Sequence, residues 1–411
     1  MARVRLIWLS RARFTETKDF TIVIYSIIPW SGVWQRPQHF ATLLAKHNKV
    51  IYVDPAGVQH VLANRLSAHH TVQKISDNLV VYRPRVLPGG KTKSRVIELN
   101  DYLILAGVLS LLKRFCWPRP ILVTNTPLAD FWVEKFPWKA VVYDVIDDFV
   151  STSWAPLDAK SREIRLFNKT DTVFTGTYSL WVKKKSYHKD IEYIPCGVET
   201  EHFLKSVQPE TLIPQDVELL ARPILGYFGA LNERIDADLL IFLAKSIPGA
   251  SVLLIGPVFA DFGLSDFTDR WASVLPNPAA PGFRLKSHPP NIHIIGIRPY
   301  RDLPAYLKAF DVCLLPYVIN QVTQDIHPVK ILEYLASGKP VVSTALPDVM
   351  RFYKQIVDIA HNRNQFIDLI NRNIVDQSEQ RKQERIAFAA PKTWEQMAER
   401  MYQKISVLIS Q

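Results

Sequence analysis

The 411-residue chain has only three cysteines, Cys116, Cys196 and Cys313, widely spaced and without a Cys-x-x-Cys pair. That excludes a disulfide framework and a cysteine zinc site, and makes reduced thiols the default. Long hydrophobic runs are also missing. The longest, Leu103 to Leu112, stops at Lys113 and Arg114, about half of the roughly 20 residues that a membrane-spanning helix needs. The opening stretch MARVRLIWLSRARF has its apolar run broken by Arg5 and no small-residue cleavage site, so no secretory signal is read there and a cytosolic chain is expected. No segment is compositionally biased, which removes disordered and fibrous classes. A Gly-x-Gly-x-x-Gly motif is absent, which disfavours a nicotinamide or flavin dinucleotide site.

What is present is a chain too long for one ordinary core, since single cores stop growing at roughly 250–300 residues. Two domains are therefore expected. The charge is unevenly divided. Residues 1–205 hold 29 Lys+Arg against 18 Asp+Glu, a net of +11; the totals of 50 and 39 leave 21 against 21 for residues 206–411. A basic half beside a neutral half suggests that one domain meets an anionic surface, a phospholipid leaflet or nucleic acid; scattered solvated lysines are the competing reading.

Strand-like runs rich in β-branched and aromatic residues alternate with helical stretches. Phe20–Ile28, Val50–Val53, Pro120–Val123, Ala140–Tyr143, Thr172–Phe174 and Ile191–Ile194 read as strands of the first half, and Gln35 to His47 as the helix of a first βαβ unit. The strands are continuous apolar runs, as in parallel sheets buried on both faces. The pattern lapses over Glu201–Ala221 and resumes with strands at Ile224–Phe228, Ser251–Ile255, Ile292–Ile295, Val312–Leu315 and Pro340–Ser343. The expected organisation is a doubly wound α/β domain over 1–205, another over 206–390, and a last amphipathic helix in 391–411 bearing Trp394, Met397, Met401, Ile405 and Leu408. A proline-rich surface excursion is expected over 257–290.

Open parallel sheets bind ligands at the carboxyl ends of their strands, so the strand-to-helix turns matter most. Gly229 follows a strand and could let phosphate approach backbone N–H groups. The segment Asp325-Ile-His327-Pro-Val-Lys330-Ile-Leu-Glu333 places a lysine in the first turn of a helix and a carboxylate one turn later on the same face. Such a lysine suits a diphosphate, and such a carboxylate can accept hydrogen bonds from two ribose hydroxyls. A surface i,i+3 salt bridge is the alternative. In the first half, Asp147 and Asp148 lie just past a strand and could act on an acceptor hydroxyl or cap a helix. Asp236-Ala-Asp238 matches a metal-binding Asp-x-Asp pattern, but its place at a helix start favours dipole complementation.

The segment from Asp325 through Gly338-Lys-Pro-Val-Val resembles the donor-site signature of GT-B glycosyltransferases of family 4 (group 1), in which a Glu-x7-Glu pattern precedes a Gly-x-Pro-Val-Val strand. The resemblance extends through Tyr227-Phe-Gly229, Asn291-Ile-His-Ile-Ile-Gly296, Asp311-Val-Cys-Leu-Leu-Pro316 and Ile194-Pro-Cys-Gly197-Val. Trp34-Gln-Arg36-Pro37-Gln-His39 is similar to the N-terminal motif of the teichuronic acid and exopolysaccharide branch. Residues 55–100 and 257–290 are not covered by it. It implies two Rossmann-like domains facing a cleft, a final helix crossing back to the first domain, and a metal-independent hexosyltransferase. A nucleotide-diphosphate sugar, expected to be a UDP-sugar, would then be a co-substrate with no cofactor. The donor candidates are Gly229, Arg234, Arg298, Asp325, His327, Lys330 and Glu333, and the acceptor candidates Trp34, Arg36 and His39.

This sequence departs from the family's pattern in two places. The usual Arg and Lys after the donor domain's glycine-bearing strand are here Asn232-Glu-Arg234-Ile-Asp236, with no lysine, leaving that task to Lys330; and Asp325 is shorter than the usual Glu. The expected acceptor is a glycan or lipid-linked glycan at the inner membrane face, with Leu103–Arg114 read equally as membrane-facing or as a buried helix. A nucleotide-sugar 2-epimerase of the same architecture is the alternative, and would turn over UDP-sugar with no acceptor. A non-catalytic nucleic-acid binder is a third class, disfavoured because no recognition helix or aromatic stacking motif is present.

Overall fold

A computed structural model describes residues 20–32, 34–55, 71–87, 94–152, 155–259, 289–321, 323–376 and 378–410. The chain divides into two compact units, one of Met1–Pro195 with Met397–Gln411 and the other of Cys196–Gln396.

The first unit is built on an eight-stranded sheet of β1 (Thr21–Tyr25), β2 (Lys49–Val53), β3 (Thr71–Lys74), β4 (Leu79–Arg83), β5 (Pro120–Thr124), β6 (Val141–Val145), β7 (Thr172–Thr175) and β8 (Ile191–Tyr193), in the order β3-β4-β2-β1-β5-β6-β7-β8. Every pairing is parallel except β3 with β4. Central strands such as β1, Thr-Ile-Val-Ile-Tyr, are buried almost end to end because helices cover both faces. The edge strand β3, Thr-Val-Gln-Lys, is exposed throughout, so no apolar run announced it in the sequence.

The apolar stretch before Lys113 is the inner face of the helix Ser94–Arg114. Ile104, Leu105, Val108, Leu111 and Leu112 pack against Val23, Ile51, Val80, Tyr82 and Leu122 of the sheet. Each such burial is worth about 1.5–3 kcal/mol against exposure, so this face belongs to the core and not to a bilayer. Of the two readings of this stretch, the buried helix is the one that forms. No helix of the described residues is long and apolar enough to cross a membrane.

The second unit holds a six-stranded, wholly parallel sheet of β9 (Ile224–Phe228), β10 (Ser251–Ile255), β11 (Ile292–Ile294), β12 (Val312–Leu315), β13 (Val341–Thr344) and β14 (Asp358–Ala360), ordered β11-β10-β9-β12-β13-β14. Counted from β9, that is 3-2-1-4-5-6, the Rossmann order, with its switch point between β9 and β12. The last helix, Trp394–Ser410, buries Met397, Met401 and Ile405. It is tied to β8 and its flank by Arg400 to Glu192 at 2.8 Å and Lys404 to Asp190 at 2.6 Å. Cys116, Cys196 and Cys313 are all free thiols. The surface excursion expected over 257–290 falls mostly outside the described residues.

Candidate functional site

Two neighbouring strands of the second unit end in glycines that meet each other. Gly229 after β9 and Gly256 after β10 both have strongly positive φ, +143° and +145°, where a side chain would be strained. A Cβ on Gly256 would lie 1.9 Å from the Gly229 carbonyl oxygen, and one on Gly229 would lie 1.9 Å from Lys330 Cε. The glycines thus bring bare backbone against the lysine side chain. Lys330 opens the helix Lys330–Ala336, and its ammonium stands 5.9 Å from the ring centre of buried Tyr227. At seven residues this helix offers a small dipole, so the lysine's full charge dominates the local field.

Glu333 follows one turn on. The surface ion pair that the i,i+3 spacing allows is not formed: among the described residues neither Lys330 nor Glu333 makes a salt bridge. The half-buried Glu333 carboxylate also receives no side-chain hydrogen bond there. Burial pushes its pKa up to about 7, with Lys330 opposing and Glu199 adding to the rise. Arg234 is close enough to Tyr227 for its charge to be felt, and its buried Nε has no partner among the described residues. Two cations without counter-ions and a carboxylate without donors suit a diphosphate carrying a hydroxyl-bearing sugar.

The sequence did not single out Tyr227, Glu199 or Tyr300 as site residues. The charges of Glu333 and Glu199 both reach the Tyr300 phenol, and Glu199 also raises the Glu333 pKa, so these residues lie beside the carboxylate. Glu199 lies two residues beyond Gly197 in a quoted motif, which was the available signal.

Other candidates are occupied elsewhere. Arg298 is not poised for a ligand: it donates to Asp216 at 2.9 Å, to the Tyr306 hydroxyl at 2.8 Å and to the Ile295 carbonyl at 2.5 Å. His327 is buried, with Nε2 2.8 Å from the Tyr353 hydroxyl and Nδ1 3.4 Å from Asp348. Asp325 is buried in the turn Thr323–Asp325 and is itself engaged. Asp236 caps the helix Ala237–Ser246 by accepting from Leu239 N–H at 2.8 Å, as expected of an acidic residue at a helix start. Among the described residues no three His, Cys, Asp or Glu side chains gather as a metal ion would require.

In the first unit Arg36 is turned inward. At 3% exposure, it grips Asp144 through Nε and Nη2 at 2.8–3.0 Å and donates to the Ile194 carbonyl at 2.6 Å. A guanidinium so committed holds the helix Arg36–Leu44 to β6. His39 is buried beside the ring of Trp34, whereas Trp34 is 42% exposed. Asp148 belongs to a chain of paired groups: it accepts from Ser151 at 2.7 Å and meets Lys184 at 3.2 Å, and Lys184 reaches Glu163 at 2.7 Å. Burial works against its ionisation, but the Ser151 hydroxyl and Lys184 prevail and hold the carboxyl below its ordinary value. Its neighbour Asp147 is exposed.

Residues 274–373 match a family described as Glycosyl transferases group 1. The matched segment, about a quarter of the chain, is similar to that family. That match contains Lys330, Glu333 and the strands β12 to β14. TuaH of Bacillus subtilis (strain 168), named for a role as a glycosyltransferase of teichuronic acid biosynthesis, is 26% identical over 240 residues, covering 54% of this chain and 54% of TuaH. The chain thus matches about half the length of this curated relative. Sucrose-phosphate synthase from Thermosynechococcus elongatus superposes with a TM-score of 0.69 at 15% identity, covering 95% of this chain and 100% of that one. HepE of Anabaena, solved in complex with UDP, gives 0.62 at 12% identity over 94% and 100%. The architecture is GT-B, and the resemblance read from the sequence holds.

Proposed function

We propose that the protein is a metal-independent glycosyltransferase that moves a sugar from a nucleotide-diphosphate sugar, a UDP-sugar in the first instance, to a glycan or lipid-linked glycan in cell-surface polysaccharide assembly. The observation that carries this reading is Lys330 against Gly229 without a salt bridge, with Arg234 near Tyr227 and the unpaired Glu333 carboxylate near Lys330. As the glycosidic bond breaks, negative charge gathers on the leaving diphosphate, and Lys330 and Arg234 neutralise it where a metal would otherwise be needed. Glu333 accepts from the ribose hydroxyls and fixes the nucleotide. The structures of HepE with UDP, and the name of TuaH, favour the donor and acceptor classes. A thermal-shift panel of nucleotides and nucleotide sugars tests it, since a ligand of the native state raises Tm: UDP and a UDP-sugar should stabilise, and a flat response to every nucleotide overturns the reading.

Of the acidic pair, Asp147 is the exposed member and so the better placed to meet an acceptor hydroxyl. Asp147→Asn is expected to lose turnover while keeping UDP affinity. Loss of UDP binding with normal turnover per bound donor rejects that role.

A cytoplasmic location with attachment to the inner membrane face goes with this function. Since the apolar face of Ser94–Arg114 is spent on the core, attachment rests on charge. The excess of +11 over residues 1–205 acts over roughly 8–10 Å at physiological ionic strength. The protein should therefore sediment with anionic liposomes and be released by salt, and equal partitioning onto neutral vesicles would contradict this.

A further inference from the structure

The first unit has its own switch point. Strands β1 and β5 are neighbours, with β2 and β4 continuing on one side and β6 to β8 on the other, and open parallel sheets take ligands at the carboxyl ends of such a pair. Tyr25 ends β1 and Asn125 follows β5, joined by Asn125 N–H to the Tyr25 carbonyl at 3.2 Å. Asp101 arrives from the second turn of the helix Ser94–Arg114.

Asp101 is only 8% exposed, yet no hydrogen bond or ion pair reaches its carboxylate among the described residues. The charges near it are those of Arg162, Asp130 and Glu98, and it in turn is felt by the Tyr25 phenol. Arg162 does not close on it, because that guanidinium donates to Asp130 at 2.9 Å and to the Leu128 carbonyl at 3.1 Å. The Tyr25 hydroxyl has no partner among the described residues either, while its ring stacks on buried Trp132 at 4.4 Å. Asn125 donates through Nδ2 to Asp144 at 3.2 Å and leaves buried Oδ1 without a partner.

The contrast with the rest of this unit is informative. Asp144, Asp130 and Glu163 are as deeply buried, and each is paired with Arg36, with Arg162 and Arg165, and with Lys184. Buried polar groups are ordinarily satisfied, and an unsatisfied one is costly. Here one such buried atom, Asn125 Oδ1, lies at the ligand-binding end of the sheet, together with the Asp101 carboxylate and the half-buried Tyr25 hydroxyl, which have no protein partner among the described residues. We propose that Tyr25, Asp101 and Asn125 form a subsite of the first unit that grips hydroxyls of a glycosyl residue in the acceptor, an assignment that rests on the glycosyltransferase reading above. A sugar hydroxyl donates to the Asp101 carboxylate or Asn125 Oδ1 and accepts from the Tyr25 phenol, the complement of the groups left over. Burial raises the Asp101 pKa to about 7, and hydroxyls donating to the carboxylate favour its ionised form against that burial.

Saturation-transfer NMR on the full chain, with p-nitrophenyl glycosides of glucose, galactose, mannose and N-acetylglucosamine as probes, tests this. At least one glycoside should bind the wild type. Asp101→Asn should weaken it by about tenfold or more, the range for a hydrogen bond to a charged group, and Tyr25→Phe by roughly two- to tenfold, the range for a neutral one, with UDP affinity unchanged and Tm no lower than wild type for Asp101→Asn. Absence of glycoside binding by the wild type overturns the proposal, as does wild-type affinity in both variants or a loss that tracks a fallen Tm. A wild type that binds glycosides but not UDP sinks the donor reading and leaves this subsite standing, so the two failures are distinguishable.

Discussion

Lys330→Ala should lose about ten- to a hundred-fold in affinity for UDP while its affinity for uridine stays close to that of the wild type. A charge-assisted contact is worth roughly 1.5–3 kcal/mol, which sets that range, and uridine has no diphosphate for the ammonium to meet. Because Lys330 makes no salt bridge among the described residues, its removal breaks no ion pair of the fold, and Tm should hold. The Gly229 geometry supplies a companion test. A Cβ there would collide with Lys330 Cε, so Gly229→Ala should displace the lysine and strain the +143° backbone, costing UDP affinity and stability together. Isothermal titration of both variants with UDP and uridine decides the matter. Equal losses for the two ligands in Lys330→Ala would place the lysine away from the diphosphate.

The parallel strands and the donor segment were legible in the sequence for one physical reason. Strands buried on both faces must be continuous apolar runs, and Ile224–Phe228, Ser251–Ile255 and Val312–Leu315 have in the structure the bounds their composition predicts. β3 was silent because an exposed edge strand needs no apolar pattern, and β14, Asp358–Ala360, because it opens on a charged residue and holds only two apolar ones; β4, Leu79–Arg83, was passed over although it is a buried apolar run. At the site, spacing alone could put Lys330 and Glu333 on one face but could not say whether they would pair with each other. Three of the candidate residues share a feature that spacing does not reveal. Arg36, Arg298 and His327 have the right chemistry for ligands, but their partners Asp144, Asp216 and Asp348 are 108, 82 and 21 residues away in sequence. Only the fold shows that those charges are already spent. Asp101 escaped notice for the converse reason: within its apolar helix it looked like an ordinary polar residue, and its lack of a partner is a tertiary fact.

Glu333 should make the protein less stable at neutral pH than it would be without that charge, and the effect has a definite sign. Its pKa of about 7 in the folded chain lies above the ordinary value of 4.5, so folding favours the protonated form. The stability tied to this group is fully present below the unfolded value and is lost as pH rises through about 7, where a half-buried carboxylate facing Glu199 and Tyr300 must ionise. Glu333→Gln is uncharged throughout. Its Tm should match the wild type near pH 4.5 and exceed it by a few degrees at pH 8, since about 1 kcal/mol moves Tm by roughly 2–4 °C in a domain of this size. Binding runs the opposite way. Only the ionised carboxylate accepts from two ribose hydroxyls, so the wild type should bind uridine progressively more weakly as pH falls below 7, by at most about tenfold per pH unit. Uridine is the right probe because it carries no phosphate to titrate in that range. The Gln variant should show weak, pH-independent binding. A wild type whose uridine affinity is flat from pH 5.5 to pH 8, or a Gln variant no more stable than the wild type at pH 8, would mean that the carboxylate is already compensated and does not hold the ribose.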